Sequence, residues 1–196
     1  MVGFFEKMML TKKLRFLDGR IELFGERFAI VGEFISTHIM EISDEPKAIA
    51  NIYRCSKESF FHFFKNVGSE YEFAETDYLK WGLDIYKFSG WGVVEYEMVD
   101  KEGKKLVVSV SDSPTGIFMK GKTNLACDHI IRGMLAGGSK AAFNSEIECL
   151  ETKCIAIGDK ICQFVVGPAD ELKSKHAALY NRQVVGSLEI GAGTVK

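Results

Sequence analysis

The sequence predicts an α+β domain: an antiparallel sheet with helices packed on one face, preceded by an N-terminal helical half. Three observations lead there. Between Phe28 and Tyr86, apolar residues recur every three or four positions, the period of a half-buried helix. Residues 92–111 and 145–166 instead read as strands cut by turn-forming residues, which is the pattern of antiparallel hairpins. A chain of 196 residues, 46% hydrophobic and 27% charged, is long enough for one core and too apolar for disorder.

The first element is a hairpin. Leu14–Leu17 and Arg20–Leu23 flank Asp18-Gly19, a dipeptide suited to a type I′ turn, which pairs Phe16 with Ile21 and Leu14 with Leu23. A helix follows on the stripe Phe28, Val31, Ile35, Ile39 and Ile42, with His38 beside it. A second begins near Pro46, a residue favoured in the first turn. Its run Phe60-Phe61-His62-Phe63-Phe64 is apolar nearly all round, so it should be buried or face a partner, with His62 as a core histidine. A third helix covers 76–86. Strands at 92–99 and 104–111 then place Val94, Tyr96 and Met98 on one face, and Ser113-Pro114-Thr115-Gly116 ends the hairpin. A helix over 123–135 should stop at Gly137-Gly138. A last hairpin spans 145–166, a short helix 170–178, and the Gly-rich end reads as a loose tail. The single domain thus divides into 1–91, a hairpin and helical region; 92–167, its core; and 168–196, a C-terminal helix and tail.

Composition excludes some functions. A net charge of −2 and the lack of a basic stripe argue against nucleic acid. No apolar run approaches the roughly 18–20 residues of a membrane span. Phe4, Phe5, Met8, Met9 and Leu10 are interrupted by Glu6 and Lys7, unlike a signal peptide, so a cytoplasmic location is expected. There is no nucleophile elbow, phosphate loop or dinucleotide fingerprint. The 15 phenylalanines suggest an aromatic core or an apolar pocket between the N-terminal helices and the sheet. Phe60, Phe61, Phe64, Trp81 and Trp91 are its expected lining. Apolar surface at 60–64 and at the N-terminus points to a homodimer.

The five cysteines are the informative residues. In a cytoplasmic chain they signal metal, redox chemistry or plain burial rather than a disulfide framework. Cys154 and Cys162 lie eight residues apart around a Gly158-Asp159 turn, and an odd-length turn of three or five residues puts them on one face. Cys127 shares a helical face with Ile130, Ile131 and Met134 and can join them. Three thiolates need one more ligand for tetrahedral zinc, and Asp112, Glu151 and Cys149 are candidates. The competing reading is that these are buried packing residues. His129, two positions past Cys127, should point away to the surface.

The pattern Glu151-x-x-Cys154-x-x-x-Gly158-Asp159-x-x-Cys162-x-Phe164-x-Val166 resembles the signature of the 4-vinyl-reductase domain family. Ser113-Pro114, Cys127 and the Gly133/Gly137-Gly138 region resemble its preceding segments, so the specific match spans about 92–167; the N-terminal half resembles archaeal members more loosely. The family is named for reducing a vinyl group, and its domain is similar to aromatic-responsive sensor domains in which three cysteines and a glutamate hold zinc. Cys127, Cys154 and Cys162 match those cysteines, whereas the glutamate has no clear counterpart. The wider fold is similar to nitric-oxide sensors and vesicle-tethering subunits. The resemblance therefore implies a domain that binds a hydrophobic or aromatic small molecule and carries structural zinc. The alternatives are a reductase acting on a vinyl or alkene group, and a structural subunit of a larger assembly.

Overall fold

A computed structural model describes residues 4–17, 19–28, 39 and 45–186. Helix α1 (Phe4–Leu10) leads into a meander of β1 (Leu14–Leu17), β2 (Arg20–Leu23) and β3 (Glu26–Phe28). Gly19, at φ +68°, sits in the β1–β2 turn. The register pairs Leu14 with Leu23 and Phe16 with Ile21, as the sequence predicts. Leu14 and Leu23 are buried with Met8, Phe24, Phe63 and Phe64, while Phe16 remains exposed. Of the helix expected over Phe28 to Ile42, Phe28 instead ends β3 and Ile39 is helical, while the residues between and after them, His38 included, and the loose tail from 187 onward lie outside the described residues.

Helix α2 (Pro46–Glu70) starts with Pro46 in its first turn, and α3 (Glu75–Phe88) follows. Phe60, Phe63, Phe64 and Val67 form an i, i+3, i+4, i+7 stripe that packs inward. His62 falls off that stripe and is exposed rather than a core residue.

The second sheet takes β4 (Val93–Asp100), β5 (Lys105–Ser111), β6 (Ile147–Lys153) and β7 (Cys162–Pro168) in the antiparallel order β4-β5-β7-β6, so the two expected hairpins share one sheet. Val94, Val108, Val110, Cys149, Glu151, Cys162 and Phe164 are buried on its inner face. A bulge between Tyr96 and Met98 reverses the alternation, which leaves Met98 41% exposed instead of beside Val94.

Short helix α4 (Pro114–Phe118) follows β5, and α5 (His129–Phe143) crosses the inner face. Neither end of α5 is where the sequence put it. Leu125 N donates to Thr123 Oγ1 in a local turn, so the chain becomes helical only at His129. The glycines do not stop it. A Cβ on Gly133 would sit 2.6 Å from Tyr53 O, and one on Gly137 would sit 2.2 Å from Lys57 O, so both glycines admit the α2 backbone. The helix ends instead at Asn144, in a left-handed conformation. Packed between sheet and α2, α5 is buried nearly all round.

Finally, α6 (Ala169–Lys175) and α7 (Ala177–Tyr180) cover Leu150 on the other face, with Leu172 and Tyr180 against it. The helices are therefore mostly, not wholly, on one face. The segment Asn181–Val185 returns to pack on α2.

Gly137→Ala should destabilise the domain by about 2 kcal/mol in chemical denaturation, because backbone must move. Gly138→Ala, whose Cβ would meet only the Phe64 ring at 3.3 Å, should cost less. Equal costs would contradict this packing.

Candidate functional site

The site forms where the β6–β7 hairpin meets the loop before α5. Alternation along β6 turns Cys149 and Glu151 inward. A bulge between Glu151 and Lys153 follows, and Cys154 leaves the strand. The connection is longer than the sequence suggested: a 3₁₀ turn at Ile155–Ile157, then Gly158 at φ +106°. Asp159 Oδ2 accepts from Cys154 N at 2.8 Å and ties the loop back. Cys162 then re-enters the sheet opposite Val110, with its sulfur 4.0 Å from that of Cys154. From the other side, Ser113 Oγ caps α4 by accepting from Gly116 N and donates to Asp128 Oδ1 at 2.8 Å. Asp128 N in turn donates to Glu151 Oε2 at 2.9 Å.

One ligand atom from each of Asp128, Glu151, Cys154 and Cys162 lies within 4.8 Å of the others, and all four residues are buried. Among the described residues Asp128 Oδ2 and Glu151 Oε1 have no hydrogen-bond partner. Burial raises the Glu151 carboxyl well above its ordinary value, with the charges of Asp128 and Cys154 adding to the effect. Burial likewise raises Asp128, to about 6. Thiol donors at Cys127 and Cys162 hold Cys154 down at about 2, while sharing with it raises their own values. Four acidic groups with two bare oxygens in one buried volume are costly unless a cation or protons neutralise them. Two sulfurs and two oxygens fit the donor chemistry and ligand number of zinc.

Of the residues singled out in the sequence, Cys154, Cys162 and Glu151 come together, and Cys127 abuts them with its sulfur 3.8 Å from that of Cys154. Cys127 lies in the loop before α5, not on the helix. Asp112 is exposed at the end of β5, at φ +59°, outside the group. Cys149 is buried elsewhere: its N–H donates to the Tyr53 hydroxyl and its carbonyl accepts from Arg132. Asp128 was missed. An aspartate directly before a helix is a recognisable signal, but only once the helix start is known.

His129 was also misplaced, since it is 3% exposed rather than on the surface. Burial and the Arg132 charge push its pKa well down. Arg132 is wholly buried, 4.5 Å over the Tyr53 ring, and donates to Cys149 O, Gln183 O and His129 Nδ1. Tyr53 and Lys57 both bond the Glu148 carboxylate. The Gln183 side chain pairs with both the N–H and the C=O of Glu151, capping the edge strand β6.

Among the described residues the five expected pocket residues lie in different places. Phe64 borders one of about 20 Å³ between α3, α5 and the sheet, roughly the room of a single water. Phe60 packs against Phe63, Phe64 and Tyr86. Trp81 sits 5.1 Å from the Phe24 ring in the N-terminal cluster, Trp91 packs on the main core, and Phe61 lies under the Lys140 ammonium.

Burial divides the thiols sharply. With an aromatic disulfide reagent the native protein should release one fast equivalent, from exposed Cys55, and Cys55→Ser should abolish it. Fast reaction of a second thiol would contradict the buried site.

Neither a protein-family model nor a curated protein sequence matches this chain. Solved structures do. The phenol-responsive sensory domain of the transcription activator PoxR, solved with phenol, matches at TM-score 0.71 and 18% identity over 88% of this chain and 94% of that one. A trafficking protein particle complex subunit 3 from Naegleria fowleri, covalently bound to palmitic acid, matches at 0.50 and 14% over 69% and 93%. A vinyl-4-reductase family protein from Methanocaldococcus jannaschii gives 0.43 and 19% over 57% and 66%. The chain therefore has the fold of the PoxR phenol-sensing domain, the fold that its resemblance to the 4-vinyl-reductase family implied.

Proposed function

We propose that this chain is a small-molecule-binding domain of the sensor type, organised by a structural zinc site. The observation that carries the metal is the convergence of Asp128, Glu151, Cys154 and Cys162, with two carboxylate oxygens left bare. Those four would hold zinc, with the Cys127 thiol next in line beside Cys154. A bound ion supplies a cross-link between the loop before α5 and the β6–β7 hairpin; four protein donors leave it no open position for catalysis. The small-molecule reading is supported by the fold, which in PoxR is that of a phenol-responsive sensory domain, and a hydrophobic or aromatic ligand fits it. Among the described residues no helix is long and apolar enough to cross a membrane. A homodimer belongs to the same proposal, supported by exposed Val93, Met98 and Val99 on β4.

Native mass spectrometry of the purified chain reads metal and subunit number together. It should show a dimer with one zinc per chain. Cys154→Ser and Cys162→Ser should lose the zinc and lower Tm by about 5–10 °C, loosening the hairpin while the α2–α5 core stays folded. Asp128→Asn should weaken zinc binding more than Cys127→Ser, and Cys55→Ser should change nothing. Metal-free protein that takes up no zinc on titration would overturn the metal site.

A further inference from the structure

A second cavity, larger than the one beside Phe64, opens over the outer side of the candidate metal group. It has about 150 Å³, against about 20 Å³ in the core. An apolar cavity of roughly 150 Å³ accepts a benzene-sized molecule, whereas roughly 20 Å³ holds one water. Ile49, Leu125 and Leu179 supply apolar wall. His129 and Arg182 supply the polar side.

The histidine's role follows from its partner. A guanidinium can only donate, and Arg132 Nη2 lies 3.3 Å from His129 Nδ1. Nδ1 therefore accepts and the proton sits on Nε2. His129 is 3% exposed, and its Nε2–H has no partner among the described residues, which makes it a donor held ready in the wall it lines. Arg182 has neither an ion pair nor a side-chain hydrogen bond among the described residues. The acidic side chain in the wall, Glu151, already accepts from Asp128 N and belongs to the metal group. The uncompensated charge facing the pocket is thus positive, beside a neutral donor and an apolar floor.

We propose that this pocket binds a small organic acid: a benzene-sized apolar body carrying one anionic group, paired with Arg182 and hydrogen-bonded by His129. The proposal deepens the small-molecule reading and rests on it. The anion specifies orientation through a charge-assisted bond, and the body fills the space between Ile49, Leu125 and Leu179.

Benzoate is the probe, titrated into the full chain with its zinc and followed by amide NMR, with benzyl alcohol as the neutral counterpart. Saturable shifts should centre on residues 124–129, Thr152 and 179–183, and benzoate should bind about tenfold tighter than benzyl alcohol. Arg182→Gln, at a half-buried position that should tolerate it, should remove that preference. Shifts centred instead on Leu79, Tyr86 and Met134 would overturn the pocket assignment while leaving a small-molecule domain in place. Equal binding of the two probes, or no saturable shift with benzoate, would overturn the organic-acid proposal, and the zinc content of the same sample judges the metal site separately.

Discussion

Two thiols and two carboxyls share one buried volume, and several neighbouring segments are held in relation to it. Each acidic group arrives on a different piece of chain: Asp128 at the start of α5, Glu151 on β6, Cys154 from the hairpin loop, Cys162 on β7. Burying charges without a counter-ion costs several kcal/mol per group. The hydrogen bonds from Ser113 to Asp128, and from Asp128 N to Glu151, hold the carboxylates but leave one oxygen of each without a partner among the described residues. A cation at this point answers both problems, the repulsion and the bare oxygens. The same ion would add a cross-link between the loop before α5 and the hairpin, which already share one apolar cluster through Cys127, Ile155 and Ala156.

Around this group a second buried polar system runs through Arg132. Its cost is offset by three acceptors and the Tyr53 ring, and those acceptors come from β6, α5 and the C-terminal segment. Gln183, whose carbonyl Arg132 holds, reaches back with its side chain to the backbone of Glu151. The C-terminal segment is thus bonded to the strand that carries a candidate ligand, and it also walls the pocket outside that ligand. The candidate metal group, the pocket and the segment Asn181–Val185 are thus close to one another.

Much of this was legible where the signal is local. Asp18-Gly19 announced the register of the first hairpin, Pro46 the start of α2, and Gly158-Asp159 the loop that brings Cys154 to Cys162. What was not legible depends on partners distant in the chain. Gly137-Gly138 reads locally as a helix stop, yet Gly133 and Gly137 are there because the backbone of α2 passes against them. Since α5 was therefore placed several residues early, Asp128 did not appear as its capping position and His129 was sent to the surface. Met98 was misassigned by a bulge that leaves no mark in the residue pattern. The phenylalanines could equally form a cavity or fill one: Phe60, Phe63 and Phe64 pack ring against ring, whereas Phe24 and Phe73 border an open cavity with Trp81.

The most direct measurement of the central claim is X-ray absorption at the zinc edge on protein purified without added metal. Asp128, Glu151, Cys154 and Cys162 as donors predict two sulfurs at about 2.3 Å and two oxygens at about 2.0–2.2 Å. A shell of three sulfurs would show that Cys127 displaces one carboxylate, and the absence of any zinc signal, with none acquired on titration, would contradict the account.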